Sequence, residues 1–238
     1  MYHYYASRKA AGRALASLLA RHPFVSNPVV VALPRGGVPI GVEVAKRLNA
    51  PLDLLVVRKI GAPGHSELAC GAFILGGEVV WNTGVMKALK ITREDLENTY
   101  QEEVEEAKER EAALRTPECS PIPLAGTSVI IVDDGLATGA TMKAALKGAQ
   151  GEHPREIILA VPIGPQSTCR ELERMGASLV CDQRIDDTTF SSVGQWYEEF
   201  PQLSTDECRE LLVTSRREWK ADARKKGELG GSPFMQSP

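Results

Sequence analysis

The chain has 238 residues, of which 43% are hydrophobic and 25% charged, with a formal net charge of -3. That length buries a core without disulfides or metals, and the balance excludes a fibre and a disordered chain. The five cysteines, Cys70, Cys119, Cys169, Cys181 and Cys208, show no CxxC or Cys/His spacing, which argues against a disulfide framework or zinc site and for a reducing, cytoplasmic setting.

Residues 1–28 carry bases and no acid, as organelle transit peptides do, yet Ala10, Ala11, Ala14, Leu15, Leu18 and Leu19 form an apolar stripe suited to docking on a core. Ser7 is placed to cap that helix, and His22-Pro23 to stop it. An α/β alternation follows. Val29 to Leu33 reads as a buried strand, Pro34 to Gly37 as a glycine loop and Val38 to Leu48 as a helix. Leu52 to Val57 reads as a second buried strand, Arg58 to Cys70 as a polar loop, and Ala72 to Leu75 with Val79 to Trp81 as a hairpin.

Thr92, with Asp95 three residues on, should cap a long charged helix reaching Arg115, which holds nine acids against four bases and leaves the rest of the chain at +2. Ser128 to Val132, Ile157 to Val161 and Leu179 to Cys181 complete five strands, with helices over Thr138 to Gln150 and Ser167 to Met175. Strands buried on both faces and separated by helices imply a doubly wound parallel sheet. No apolar run approaches the ~20 residues that cross a membrane. Arg216 to Lys226 is the one noticeably basic run, which a solvated helix end explains, so nucleic acid is not an expected partner. Lys220 to Pro238 reads as a frayed helix end and disordered tail.

Chemistry concentrates in Val129-Ile-Ile-Val-Asp-Asp-Gly-Leu-Ala-Thr-Gly-Ala-Thr141. A strand delivers two carboxylates to the sheet's C-terminal edge, where ligands of such folds bind and where vicinal hydroxyls can donate to them. A small-residue loop then opens a helix whose N–H groups, beside the Thr138 and Thr141 hydroxyls, can cradle a phosphate. Taken separately, the acidic pair could simply start a turn and Thr138 could simply cap a helix.

Together the two halves resemble the signature of type I phosphoribosyltransferases: four apolar residues, an acidic pair, two apolar residues and a small-Thr-Gly-x-Thr loop. The resemblance implies that Asp133 and Asp134 contact the ribose hydroxyls of 5-phosphoribosyl-1-pyrophosphate (PRPP), and that Ala137, Thr138, Gly139, Ala140 and Thr141 hold its 5-phosphate. Gly135 departs from the pattern by replacing an apolar residue, which would loosen the turn. Ala137 stands where enzymes of 6-oxopurines carry an Asp, which puts hypoxanthine or guanine in doubt as acceptor.

By the same resemblance Arg35, Gly36 and Gly37 form a pyrophosphate-binding loop, and Arg58 to Cys70 a mobile catalytic loop. Arg58 and Lys59 would neutralise the departing pyrophosphate, with Asp134 completing the catalytic set and His65 and Glu67 further along. Residues 182–200 resemble a hood over the acceptor, with Phe190 and Val193 against the base and Tyr197 a candidate wall of the pocket, while Trp196 and Phe200 cover the sheet edge. The family binds Mg²⁺ mainly through PRPP, and Asp133 is the protein carboxylate that could touch the metal. The expectation is one domain over residues 1–219 that transfers phosphoribosyl to a small nitrogenous acceptor. The alternative is a PRPP sensor without transfer. The 92–115 helix lies outside the minimal family fold and would pack on the domain or on a second subunit of a homodimer.

Overall fold

The computed structural model describes residues 2–225. In chain order its elements are α1 (Arg8–Leu19), β1 (Pro28–Ala32), α2 (Gly37–Leu48), β2 (Leu52–Leu54), β3 (Val57–Ala62), β4 (His65–Ile74), β5 (Val80–Trp81), α3 (Thr83–Leu89), α4 (Glu97–Leu114), β6 (Ser128–Val132), α5 (Ala140–Gly151), β7 (Glu156–Pro165), α6 (Gln166–Arg174), β8 (Ser178–Ile185) and α7 (Thr205–Lys225).

Five strands pair in parallel in the order β2-β1-β6-β7-β8. Alternation along them supplies two cores. Val30, Ala32, Ile130, Val132, Ile158 and Ala160 face α1, α2 and α7, whereas Val29, Val31, Val129, Ile131, Leu159 and Val161 face α5 and α6. The sheet is doubly wound, as the buried β-branched runs require. From β1 the chain winds outward to β2, and from β6 outward to β7 and β8. The direction therefore reverses between β1 and β6, and the crevice outside their carboxyl ends is where ligands of such sheets bind.

The Leu52–Val57 run divides, contrary to expectation. Only Leu52–Leu54 joins the parallel sheet, and β3 begins a separate antiparallel sheet ordered β3-β4-β5. Arg58 to Cys70 is accordingly a β-hairpin rather than a loop. Its glycine and proline punctuate a turn at Pro63-Gly64, with Gly64 at φ +74°, and its register slips at Gly61. Ile60, Ala62, Cys70 and Phe73 bury against Leu96 and Ala107 in a third core. Its buried positions are partly small residues, so the alternation is faint in sequence. The hairpin at Ala72 and Val80 forms as expected.

Thr92 and Asp95 make a reciprocal cap, with each backbone N–H donating to the other's side chain at 2.8 and 3.2 Å. A 3-10 turn over Glu94–Leu96 intervenes before α4. The helix α7 continues through Lys220 to Lys225, and the rest of the expected tail lies outside the described residues. All five cysteines are free thiols. Among the described residues no helix is long and apolar enough to cross a membrane.

Candidate functional site

Strand β6 lies at the middle of the parallel sheet, so its end delivers Asp133 and Asp134 into the crevice beside the loop that follows β1. The two carboxylates face different ways. Asp133 lines a cavity of about 100 Å³ together with Lys59, Thr138, Gly139, Thr141 and Val193. Gly139, at φ +71°, turns the chain into α5, whose first N–H groups have no partner within the helix. A Cβ there would also lie 2.7 Å from Thr168 Cγ2, so glycine is required on two grounds. The Thr168 hydroxyl donates to the Ala137 carbonyl at 2.8 Å and holds the loop open toward the cavity. Carboxylate, amine, hydroxyls and a helix N-terminus around one cavity can bind a phosphorylated sugar.

Asp134 points the other way, toward the loop after β1. A Cβ on Gly37 would lie 2.6 Å from the Val132 carbonyl, and one on Gly36 would overlap the Asp134 carboxylate. The glycine pair is thus what lets the two loops touch. The Asp134 Oδ2 that faces Gly36 also accepts from Arg8 Nε at 2.8 Å, and the Asp134 carbonyl accepts from the Tyr197 hydroxyl at 2.6 Å. The Asp134 N–H donates to Asp133 Oδ1 at 2.9 Å. Burial and then the neighbouring Asp134 charge hold Asp133 well above the ordinary carboxylate range. Burial also raises Asp134, and the Arg8 hydrogen bond opposes it.

Of the cations expected to meet pyrophosphate, Lys59 lines the cavity while Arg58 is engaged elsewhere. Arg58 Nε donates to Glu103 at 2.6 Å and its NH2 pairs with Glu106, both on α4. One turn further along that face is Arg110, whose guanidinium is held below its ordinary value by burial and by the charges of Arg58 and Arg35. The charged arm therefore packs on the hairpin of its own subunit. Val193 reaches the cavity, whereas Phe190 is half-buried against the core on the α1 side. Trp196 is buried and stacks on Tyr4, and Phe200 lies under Arg8. Gly135 does not loosen the turn. A Cβ at this position would lie 2.6 Å from Val193 Cγ1 and 3.0 Å from Ile163 Cγ2, so its absence lets the hood close on the strand end. His65 is exposed at the hairpin tip, and the Glu67 side chain lies outside the described residues.

Sequence reasoning missed Arg8 and Thr168, and it read Tyr197 as a wall of the acceptor pocket rather than as a donor to the Asp134 carbonyl. Each acts across a long separation, 126 residues between Arg8 and Asp134, and no local pattern reports such a contact. Among the described residues no group of three or more His, Cys, Asp or Glu side chains could hold a metal ion. The donor set suits a Mg²⁺ that arrives on phosphate oxygens and keeps at most one or two protein carboxylates, with Asp133 the carboxylate facing the cavity.

The chain resembles known proteins over about nine-tenths of its length. A 34% identical protein from Thermus thermophilus, TT1426, superposes with a TM-score of 0.76 over 90% of this chain and 99% of that one. A hypothetical protein from Neisseria gonorrhoeae with bound ppGpp, 14% identical, shares the fold with a TM-score of 0.50, over 90% of this chain and 97% of its own. Two Mycobacterium tuberculosis proteins, each named "Putative phosphoribosyl transferase", are 40% identical over 89% of this chain and 47% of their own length. The chain thus spans about half the length of the curated relatives it matches. The family described as "Phosphoribosyl transferase domain" matches residues 74–198, more than half of the chain, and includes the acidic pair, the phosphate loop and most of the hood. The chain belongs to the phosphoribosyl transferase domain family.

Proposed function

We propose that the chain binds PRPP with Mg²⁺ and transfers its phosphoribosyl group to a nitrogenous acceptor. The bond from C1 of the ribose to pyrophosphate breaks, pyrophosphate leaves with the bonding electrons, and the acceptor nitrogen forms the new bond at C1 and loses its proton to solvent. One observation carries this reading: Asp133, Lys59 and the N-terminus of α5 surround a single cavity at the sheet's switch point. The 5-phosphate sits on the Ala137–Thr141 loop, the ribose hydroxyls donate to Asp133 in the cavity and to Asp134 at its border with the loop after β1, and the pyrophosphate lies toward Arg35, Gly36 and Gly37. Mg²⁺ supplies charge neutralisation on the phosphates.

The protein's part is positioning and stabilisation of the charge that develops on pyrophosphate. Lys59 is the cation placed for that task. Val193 closes the acceptor side, and Phe190 supports it from behind. Ala137 has no proton to exchange with a purine ring, so the acceptor is one that needs no carboxylate there: a pyrimidine, an adenine-like base or an amine. The test is pyrophosphate release from PRPP across such acceptors, with hypoxanthine and guanine as controls, repeated for Lys59→Ala. Release with one acceptor class, lowered about a hundredfold in the variant with a smaller change in PRPP affinity, is expected. Tight PRPP binding without release for any acceptor would favour a sensor.

A further inference from the structure

Arg8 opens α1, far in sequence from every motif described above, yet its side chain is only 10% exposed and is fixed at three points. Nε donates to Asp134 Oδ2 at 2.8 Å, NH1 donates to the Pro201 carbonyl at 2.7 Å, and the guanidinium lies 3.7 Å from the centre of the Phe200 ring. Phe200 ends the hood and Pro201 follows it. A guanidinium can do all three things at once because it is planar, presents several donors in one plane and stacks on aromatic faces. Gly36, where no side chain fits, packs on the same Oδ2 from the loop after β1. Asp134 is therefore clamped between α1 and the loop after β1.

We propose that Arg8 is a positioning residue: it fixes the orientation of the Asp134 carboxylate for the ribose of PRPP and ties that orientation to the hood. This rests on the PRPP reading given above. Arg8 reaches the ligand only through Asp134, so the two residues must act as a unit. The connection through Phe200 and Pro201 also means that the acceptor side and the PRPP side share one fixed point.

The test is a calorimetric cycle with Mg²⁺-PRPP on the full chain, comparing the parent, Arg8→Gln, Arg8→Lys, Asp134→Asn and Arg8→Gln/Asp134→Asn, with the circular dichroism and melting of each recorded. Arg8→Gln should weaken PRPP by about tenfold, Arg8→Lys should recover part of that loss, and Arg8→Gln should change affinity less than about twofold once Asp134 is Asn. The double variant buries neither charge, so it keeps the comparison available if Arg8→Gln alone folds poorly. A loss from Arg8→Gln that is equal in both backgrounds, or an Arg8→Lys no better than Arg8→Gln, would overturn the positioning role while leaving the PRPP reading intact. No PRPP binding by the parent would overturn both.

Discussion

Gly36 is packed so closely on Asp134 that a Cβ at position 36 would overlap the carboxylate, whose Oδ2 also accepts from Arg8. Two loops, one after β1 and one after β6, thus meet through a position that admits only glycine. Gly36→Ala should displace the carboxylate or the loop at a cost of about 1–3 kcal/mol, the usual range for overpacking. Chemical denaturation together with PRPP calorimetry should show lost stability and weakened binding in the same variant. A variant that retained both would place the loop elsewhere.

Gly135 and Val193 form a second close pair, with 2.6 Å between a Cβ built on the glycine and Val193 Cγ1. Gly135→Ala should destabilise the protein by roughly 1–3 kcal/mol, and Val193→Ala should relieve part of that cost by opening space. A double-variant melt checks this. Strictly additive losses would mean that the hood does not press on the strand end.

The buried acidic pair makes a prediction about pH. An ordinary aspartate ionises at 3.8, whereas Asp133 in the fold is held well above that by burial and by Asp134. Between the two values the native protein keeps a proton that the unfolded chain has lost, so stability falls as pH rises through that window. Asp133→Asn keeps an oxygen acceptor for the Asp134 N–H and removes the titration. It should be more stable than the parent at about pH 8, with the gap closing toward about pH 4. Denaturation at several pH values tests the sign, and a gap that widened toward acid would contradict it.

A separate buried cluster joins the arm to the sheet. Asp53, on β2, accepts from Arg115 NH1 at 2.8 Å and from the Ile122 N–H at 2.7 Å, and lies 3.4 Å from Arg216 of α7. Asp53→Ala leaves the buried Arg216 guanidinium without its carboxylate and Arg115 with the Glu111 carboxylate alone, and should cost about 3–5 kcal/mol in denaturant unfolding. A loss below about 1 kcal/mol would show that the cluster rearranges freely.

The sequence reports this site unevenly. The β6 run, the acidic pair and the Thr-Gly loop were legible because strand, turn and helix N-terminus are local patterns, and they fold as Ser128–Val132 and Ala140–Gly151. The hairpin from Val57 was not, because Pro63, Gly64 and the small residues Ala62 and Cys70 read as loop chemistry when taken without their partner strand. Helix α7 was legible in principle. Ser204 and Glu207 form a capping box, with the Ser204 N–H donating to Glu207 at 2.7 Å and the Glu207 N–H to Ser204 Oγ at 3.1 Å, and Cys208, Leu212 and Ser215 repeat along its buried side. Arg8 could not be found in this way, since only the folded chain brings α1 to the end of β6.

Titration calorimetry of Mg²⁺-PRPP into the parent protein and Asp133→Asn decides whether the cavity beside Asp133 is a PRPP site. Saturable binding at one site per chain, weakened by about 1.5–3 kcal/mol in the variant, is predicted for a carboxylate that accepts from ribose hydroxyls. No binding by the parent, or equal affinity in a folded Asp133→Asn protein, would contradict the account.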